Sequence, residues 1–331
     1  MKNWPISTSI SIIFKTALKV FLTYTVINNF HVYVLTSHYT SLFEDYDHDL
    51  LSAVNKLIQN PFSSEYADRT QLRPEPLARV LVQIRYLPIK SFSRPESELI
   101  AIFQEKVRKN FPFMMTISHN EEIGNLNADG NIEGEPRITS GSIHHFVSTD
   151  QKSRLTISGD ALTLETAEYI SRDSFLLSFR TVLEHFFNDH NPVVNGMGFR
   201  YVNSLPALGE DGIPKVSEMV RSELLGLRNH FDNVDIIKET NNARVKVEEG
   251  WVTLNWGYNP SGEVHDISIV SPVAVPTWFL DIDSVTEENK DVRLHDIDSI
   301  MDRINGLANR GRTIFSWSVT ETFLDVFKTE D

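Results

Sequence analysis

Two aspartates two residues apart, Asp281 and Asp283 in the run Leu280–Asp283 (LDID), are the pair best suited to chemistry. In a strand, residues i and i+2 share a face, so these carboxylates would stand side by side. Like charges so placed repel until a divalent cation or a basic group relieves them. Metal-dependent nucleases and phosphohydrolases hold Mg²⁺ with such pairs. Mg or Mn is therefore the cofactor of a catalytic alternative, for which the sequence shows neither third ligand nor general base. Otherwise no cofactor is expected. In the non-catalytic alternative the aspartates form salt bridges, with Arg200 or Arg85 as internal partner.

Other residues invite the same weighing. Arg200 lies between aromatic and aliphatic neighbours in Gly198–Asn203 (GFRYVN) and is expected to be half-buried and paired with a carboxylate. Arg85, Arg200, Tyr201, Asn203, Asp281 and Asp283 form the candidate binding set. Glu165 and Asp160 are expected on the solvent face of a hairpin. His144 and His145 would point to opposite faces of one strand, and His185 and His190 are five apart on a helix. Neither pair makes joint metal ligands. Asn125, Asn127 and Asp129, followed by Gly130, resemble the front of a calcium loop. Its twelfth position is Pro136 where a bidentate Glu belongs, so the weak metal candidate competes with a plain polar loop. Gly-x-Ser-x-Gly, His-Glu-x-x-His and the phosphate-binding Walker loop are absent. Trp251, Trp256 and Trp278 fit core or interface anchors better than a base-stacking platform, given the surrounding acid.

The elements that must position these residues follow from periodicity. Ser153–Leu205 is the clearest unit. Leu155 and Ile157, then Leu162 and Leu164, alternate with polar residues around Gly159–Asp160, which predicts a hairpin. Phe175, Phe179, Val182 and Phe186 stripe a helix that Ser171 or Asp173 caps and Asn191–Pro192 stops. Strands are expected at Leu77–Tyr86, Phe111–Ser118, Ile138–Ser148, Ala243–Val247, Trp251–Tyr258, His265–Ser271 and Trp278–Ser284. Helices are expected at Glu44–Ile58, from Pro95, at Val216–Leu227, from Ile297 with Gly311 beyond its end, and after Thr320. Asn120–Arg137 reads as loop. Hairpins without a phosphate loop predict an α+β fold, with largely antiparallel sheets covered by helices in two lobes.

Composition bounds the rest. The chain has no Cys, which excludes disulfides, thiolate zinc sites and a Cys nucleophile and fits a cytoplasmic location. Net charge is −14, and Ala207–Asp331 carries 12 basic against 23 acidic residues. That balance argues against a broad nucleic-acid surface there. Residues 1–40 admit three readings: a membrane anchor, an element of the fold, or, preferred, a leader outside the core produced by a misassigned start. Membrane contact or tethering arises only if they are genuine and ordered. The domains expected are 1–69 as leader and helix, 70–205 as an α+β lobe, and 206–331 as an acidic α+β lobe.

Four stretches, Pro76–Tyr86 (PLARVLVQIRY), Leu162–Tyr169 (LTLETAEY), Gly198–Asn203 (GFRYVN) and Leu280–Asp283 (LDID), come in this order with a following helix and Phe315–Thr320. Together they resemble a sporadically distributed prokaryotic family of uncharacterised proteins, over roughly residues 70–328. The chain departs from that pattern at Arg79, where an acidic residue is usual, and at Ala308–Asn309, where a His is common. The resemblance implies no settled activity, cofactor or catalytic residue. It implies an accessory gene, of the kind found in defence and toxin–antitoxin loci. The function expected is a non-enzymatic protein-binding or regulatory component acting through its acidic C-terminal part, with a protein partner.

Overall fold

Period-two alternation builds most of the strands: β1 (Leu77–Tyr86), β2 (Phe113–Leu126), β3 (Ile132–Val147), β4 (Ser153–Ile157), β5 (Ala161–Thr166), β6 (Val194–Pro206), β7 (Glu239–Val247), β8 (Gly250–Asn259) and β9 (Thr277–Thr286). The computed structural model describes residues 60–62, 76–126, 132–207, 215–230, 236–287 and 296–327. These strands form one nine-stranded sheet in the order β2-β3-β4-β5-β1-β6-β9-β8-β7. Every neighbouring pair is antiparallel. The fold is α+β, as the hairpin-rich sequence predicts.

One face of the sheet carries the core. Phe146, Leu155, Leu164, Val82 and Phe199 oppose one another strand by strand across β3, β4, β5, β1 and β6, and all are buried. Helices α1 (Glu98–Val107), α2 (Arg172–His190) and α4 (Ile297–Ser318) pack Phe103, Phe179, Phe186 and Ile304 onto this cluster. A second cluster gathers Val252, Leu254, Leu280 and Ile282 under α3 (Val216–Met219), the end of α4 and α5 (Glu321–Phe327). Each such fully buried side chain contributes about 1.5–3 kcal/mol.

Local chemistry sets the helix ends. Ser171 caps α2 by accepting from the Ser174 N–H at 3.2 Å, and Asn191 closes it in a left-handed conformation at φ 40°. Asp296 caps α4 by accepting from the Ser299 N–H at 2.9 Å.

Several sequence expectations need correction. Val216–Leu227 is not one helix: Val220 turns extended and forms an isolated bridge with Val319, and two short 3-10 turns follow. His265–Ser271 is turn and loop, not strand. Asn120–Arg137 is not all loop, because β2 and β3 continue their ladder to Leu126 and Ile132. There main-chain pairing, which is blind to side-chain polarity, carries the strands. The helix expected from Pro95 begins at Glu98 behind Ser97. Gly311 lies inside α4, not beyond it. Helix Glu44–Ile58 and the leader lie outside the described residues.

Candidate functional site

Among the described residues no helix covers the other face of the sheet. Register places Arg154, Glu165, Leu81, Arg200, Asp283, Thr253 and Arg244 in one row across it. Arg79, Val202, Asp281 and Asn255 make the next row over four strands. The loop 260–276, between β8 and β9, folds over this second row, which explains why Val202 and Asp281 are buried on a helix-free face.

Charge holds that loop down. Arg200 donates from Nε to Asp281 Oδ1 at 2.7 Å and from Nη2 to Asp281 Oδ2 at 2.6 Å. The same Nη2 reaches Asp266 Oδ2, in the loop, at 3.4 Å. His265 donates from Nε2 to Asp281 Oδ2 at 3.2 Å, and its ring stacks flat on Phe279 with centroids 4.1 Å apart. Arg79 donates from Nε to the Ile269 carbonyl at 3.0 Å. Asp266 folds the loop locally by accepting from the Ser268 N–H at 3.1 Å and its hydroxyl at 2.6 Å. Two strand arginines and one strand aspartate thus clamp the loop at Asp266, His265 and Ile269.

The electrostatics separate the two aspartates. Burial pushes the Asp281 carboxyl up, but hydrogen bonds from Arg200 and His265 outweigh it and hold the group below its ordinary range. Asp283 is raised: burial comes first, Arg200 opposes it, and the Asp281 charge adds to it. No hydrogen bond or close ion pair to Asp283 is found among the described residues. Asp266 is held low; burial is overcome by the bonds from Ser268 and the charges of Arg200 and His265.

The candidate set therefore divides. Arg200, Asp281 and Asp283 come together on the helix-free face. Arg85 is exposed on the same face but further along β1, opposite Gly196. Tyr201 and Asn203 point to the helix face; Tyr201 packs on Phe199 and Gly311, and Asn203 donates to the Leu280 carbonyl at 3.1 Å. Glu165, expected in solvent, is buried between Arg154 at 2.8 Å and Arg79 at 3.7 Å. Asp160 is exposed, as expected. His144 is buried between the Thr116 hydroxyl and the Phe92 carbonyl, each at 3.0 Å, while His145 turns to the opposite face and meets the Thr156 hydroxyl. Asn125 is a paired strand residue opposite Glu133; Asn127 and Asp129 lie outside the described residues.

The three tryptophans divide as well. Trp278 is buried and donates to the Leu224 carbonyl at 3.2 Å, and Trp256 packs on the second core cluster. Trp251 faces the other way, with Arg244 and Lys246 over its ring at 4.9 and 5.3 Å. Among the described residues no group of three or more His, Asp or Glu side chains is arranged to hold a metal ion. Both Asp281 oxygens are already committed to Arg200.

The composition of 265–271 mimics a strand, which hides His265 and Asp266 as site residues. Pro260, Pro272 and Pro276 around it, and the Asp266-x-Ser268 spacing of a side-chain turn, were the available signals. No protein-family model matches the chain, and no curated protein does. Among the described residues no helix is long and apolar enough to cross a membrane.

Proposed function

We propose that this protein acts by binding another protein rather than by chemical turnover, and that loop 260–276 is its contact element. The observation that carries this is the clamp itself. Arg200 and Asp281, two of the charged residues best placed for chemistry, are spent on holding a loop against the sheet, and that loop turns apolar side chains outward. Ile267 is 72 % exposed, and Val273 and Val275 of the same loop are 44 % and 42 % exposed. Single exposed apolar residues are ordinary, but three on one anchored loop suit a contact surface. Anchoring in advance lowers the ordering cost of association. The loop lies in the acidic C-terminal part, which the sequence singled out for partner contact. The resemblance to a patchily distributed prokaryotic family supports a regulatory component of an accessory, defence or toxin–antitoxin locus.

Capture from the native host tests this, with wild type and Ile267→Asp as baits. A partner retained by wild type and lost with Ile267→Asp, while the variant melts normally, is the expected result. Equal capture by both baits, or no partner for either, would sink it.

A further inference from the structure

The sheet ends in two edge strands of opposite character. Exposed edges invite pairing with other chains and are usually guarded by charge, proline or bulges. β7 follows that rule, with Arg244 and Lys246 exposed along it. β2 does not. No Asp, Glu, Lys or Arg occurs from Phe111 to Asn120. Phe113, Met115 and Ile117 occupy alternate positions there, exposed by 53 %, 53 % and 44 %, all toward the helix-free face.

We propose that two copies of this chain pair antiparallel through their β2 edges, about a two-fold axis at Met115. Pairing about that residue sets Met115 against its own copy and Phe113 against Ile117 twice over, so the apolar triad is self-complementary. Copies of a chain with net charge −14 repel, and an uncharged strip is where they can meet. The contact would be isologous, and the two sheets would become one. β2 is a different element from loop 260–276, so this pairing stands or falls apart from the protein-binding role.

The absence of cysteine makes the test direct. Met115→Cys places one thiol per chain on the axis, where directly opposed Cβ atoms lie about 4.5–5.5 Å apart, close enough to bridge with slight adjustment. Under an added oxidant this variant is expected to form a disulfide-linked dimer at least about tenfold faster than a Lys246→Cys control, the rate advantage proximity confers. Light scattering should give a dimer mass for wild type and a monomer mass for Met115→Lys. Should Met115→Lys prove unfolded by circular dichroism, the cysteine comparison decides alone. A wild type that is monomeric at the highest concentration reached, equal cross-linking at both positions, or a different protein's strand on β2 would overturn the proposal.

Discussion

Arg200 grips Asp281 with both arms of its guanidinium, at 2.7 and 2.6 Å, while Asp281 itself has no exposed surface. Removing the arginine would strand a buried carboxylate under the loop. Breaking a buried pair from one side costs about 3–5 kcal/mol. Arg200→Ala is therefore expected to lower the free energy of unfolding by about that much, read from denaturant titration.

The depressed ionisation of Asp281 adds an acid limb to the same experiment. A carboxyl whose folded value lies below its unfolded value contributes stability that is present above the ordinary 3.8 and is lost as pH falls through the folded value. Asp281→Asn should remove that acid-dependent contribution and be destabilised already at neutral pH. A variant that keeps the full acid slope would show that another carboxyl is responsible.

Asp283 should behave in the opposite sense. Its folded value is raised, so the folded state binds its proton more tightly than the unfolded chain does. Its contribution is complete below the ordinary 3.8 and is lost as pH rises through the folded value. Asp283→Asn is expected to raise the melting temperature at pH 7, with the gain shrinking to nothing as the pH is taken below that ordinary value. A loss of stability at pH 7 would mean that the charge is needed where it stands.

Strands whose side chains alternate were legible because one face is buried and the other is not. Leu155, Ile157, Leu162 and Leu164 announce their hairpin, and the register pairs Ile157 with Leu162. The pairing of Arg200 with an aspartate was also legible in kind, since a half-buried arginine needs a carboxylate. The clamp was not, because Asp266 lies 66 residues from Arg200 and its loop mimics a strand in composition. Alternation puts Glu165 on the outer face and so predicts exposure to solvent. Its burial depends on Arg79 and Arg154, which reach it from neighbouring strands. The ladder beyond Ser118 left no mark, since its register is carried by the main chain.

The sequence pattern puts Gly311 beyond a helix end, but its place inside α4 gives a further expectation. It lies mid-helix in α4, and a Cβ built there would stand 2.8 Å from Cδ2 of the buried Tyr201 ring. Helix propensity alone favours alanine by about 0.5–1 kcal/mol. Overpacking costs about 1–3 kcal/mol, and the ring has core on its far side, so the steric penalty should win. Gly311→Ala is expected to destabilise, and Gly311→Ala combined with Tyr201→Leu should lose less than the sum of the two single changes. Calorimetry of the four proteins checks this; simple additivity would show that helix and ring do not press on one another.

Metal addition decides between the clamp and the catalytic alternative. Asp281 and Asp283 do point to one face, as a Mg²⁺ or Mn²⁺ pair would require. Arg200 nevertheless takes both oxygens of Asp281, so a cation would have to displace a guanidinium in ideal bidentate geometry. A ligand at a hundred times its dissociation constant adds about 2.7 kcal/mol to stability. Wild type is expected to show no such rise on titration with Mg²⁺ or Mn²⁺ in a thermal melt. A rise of that size, abolished by Asp283→Ala, would restore the phosphohydrolase reading and leave Arg200 as the guard of an empty site rather than the anchor of a loop.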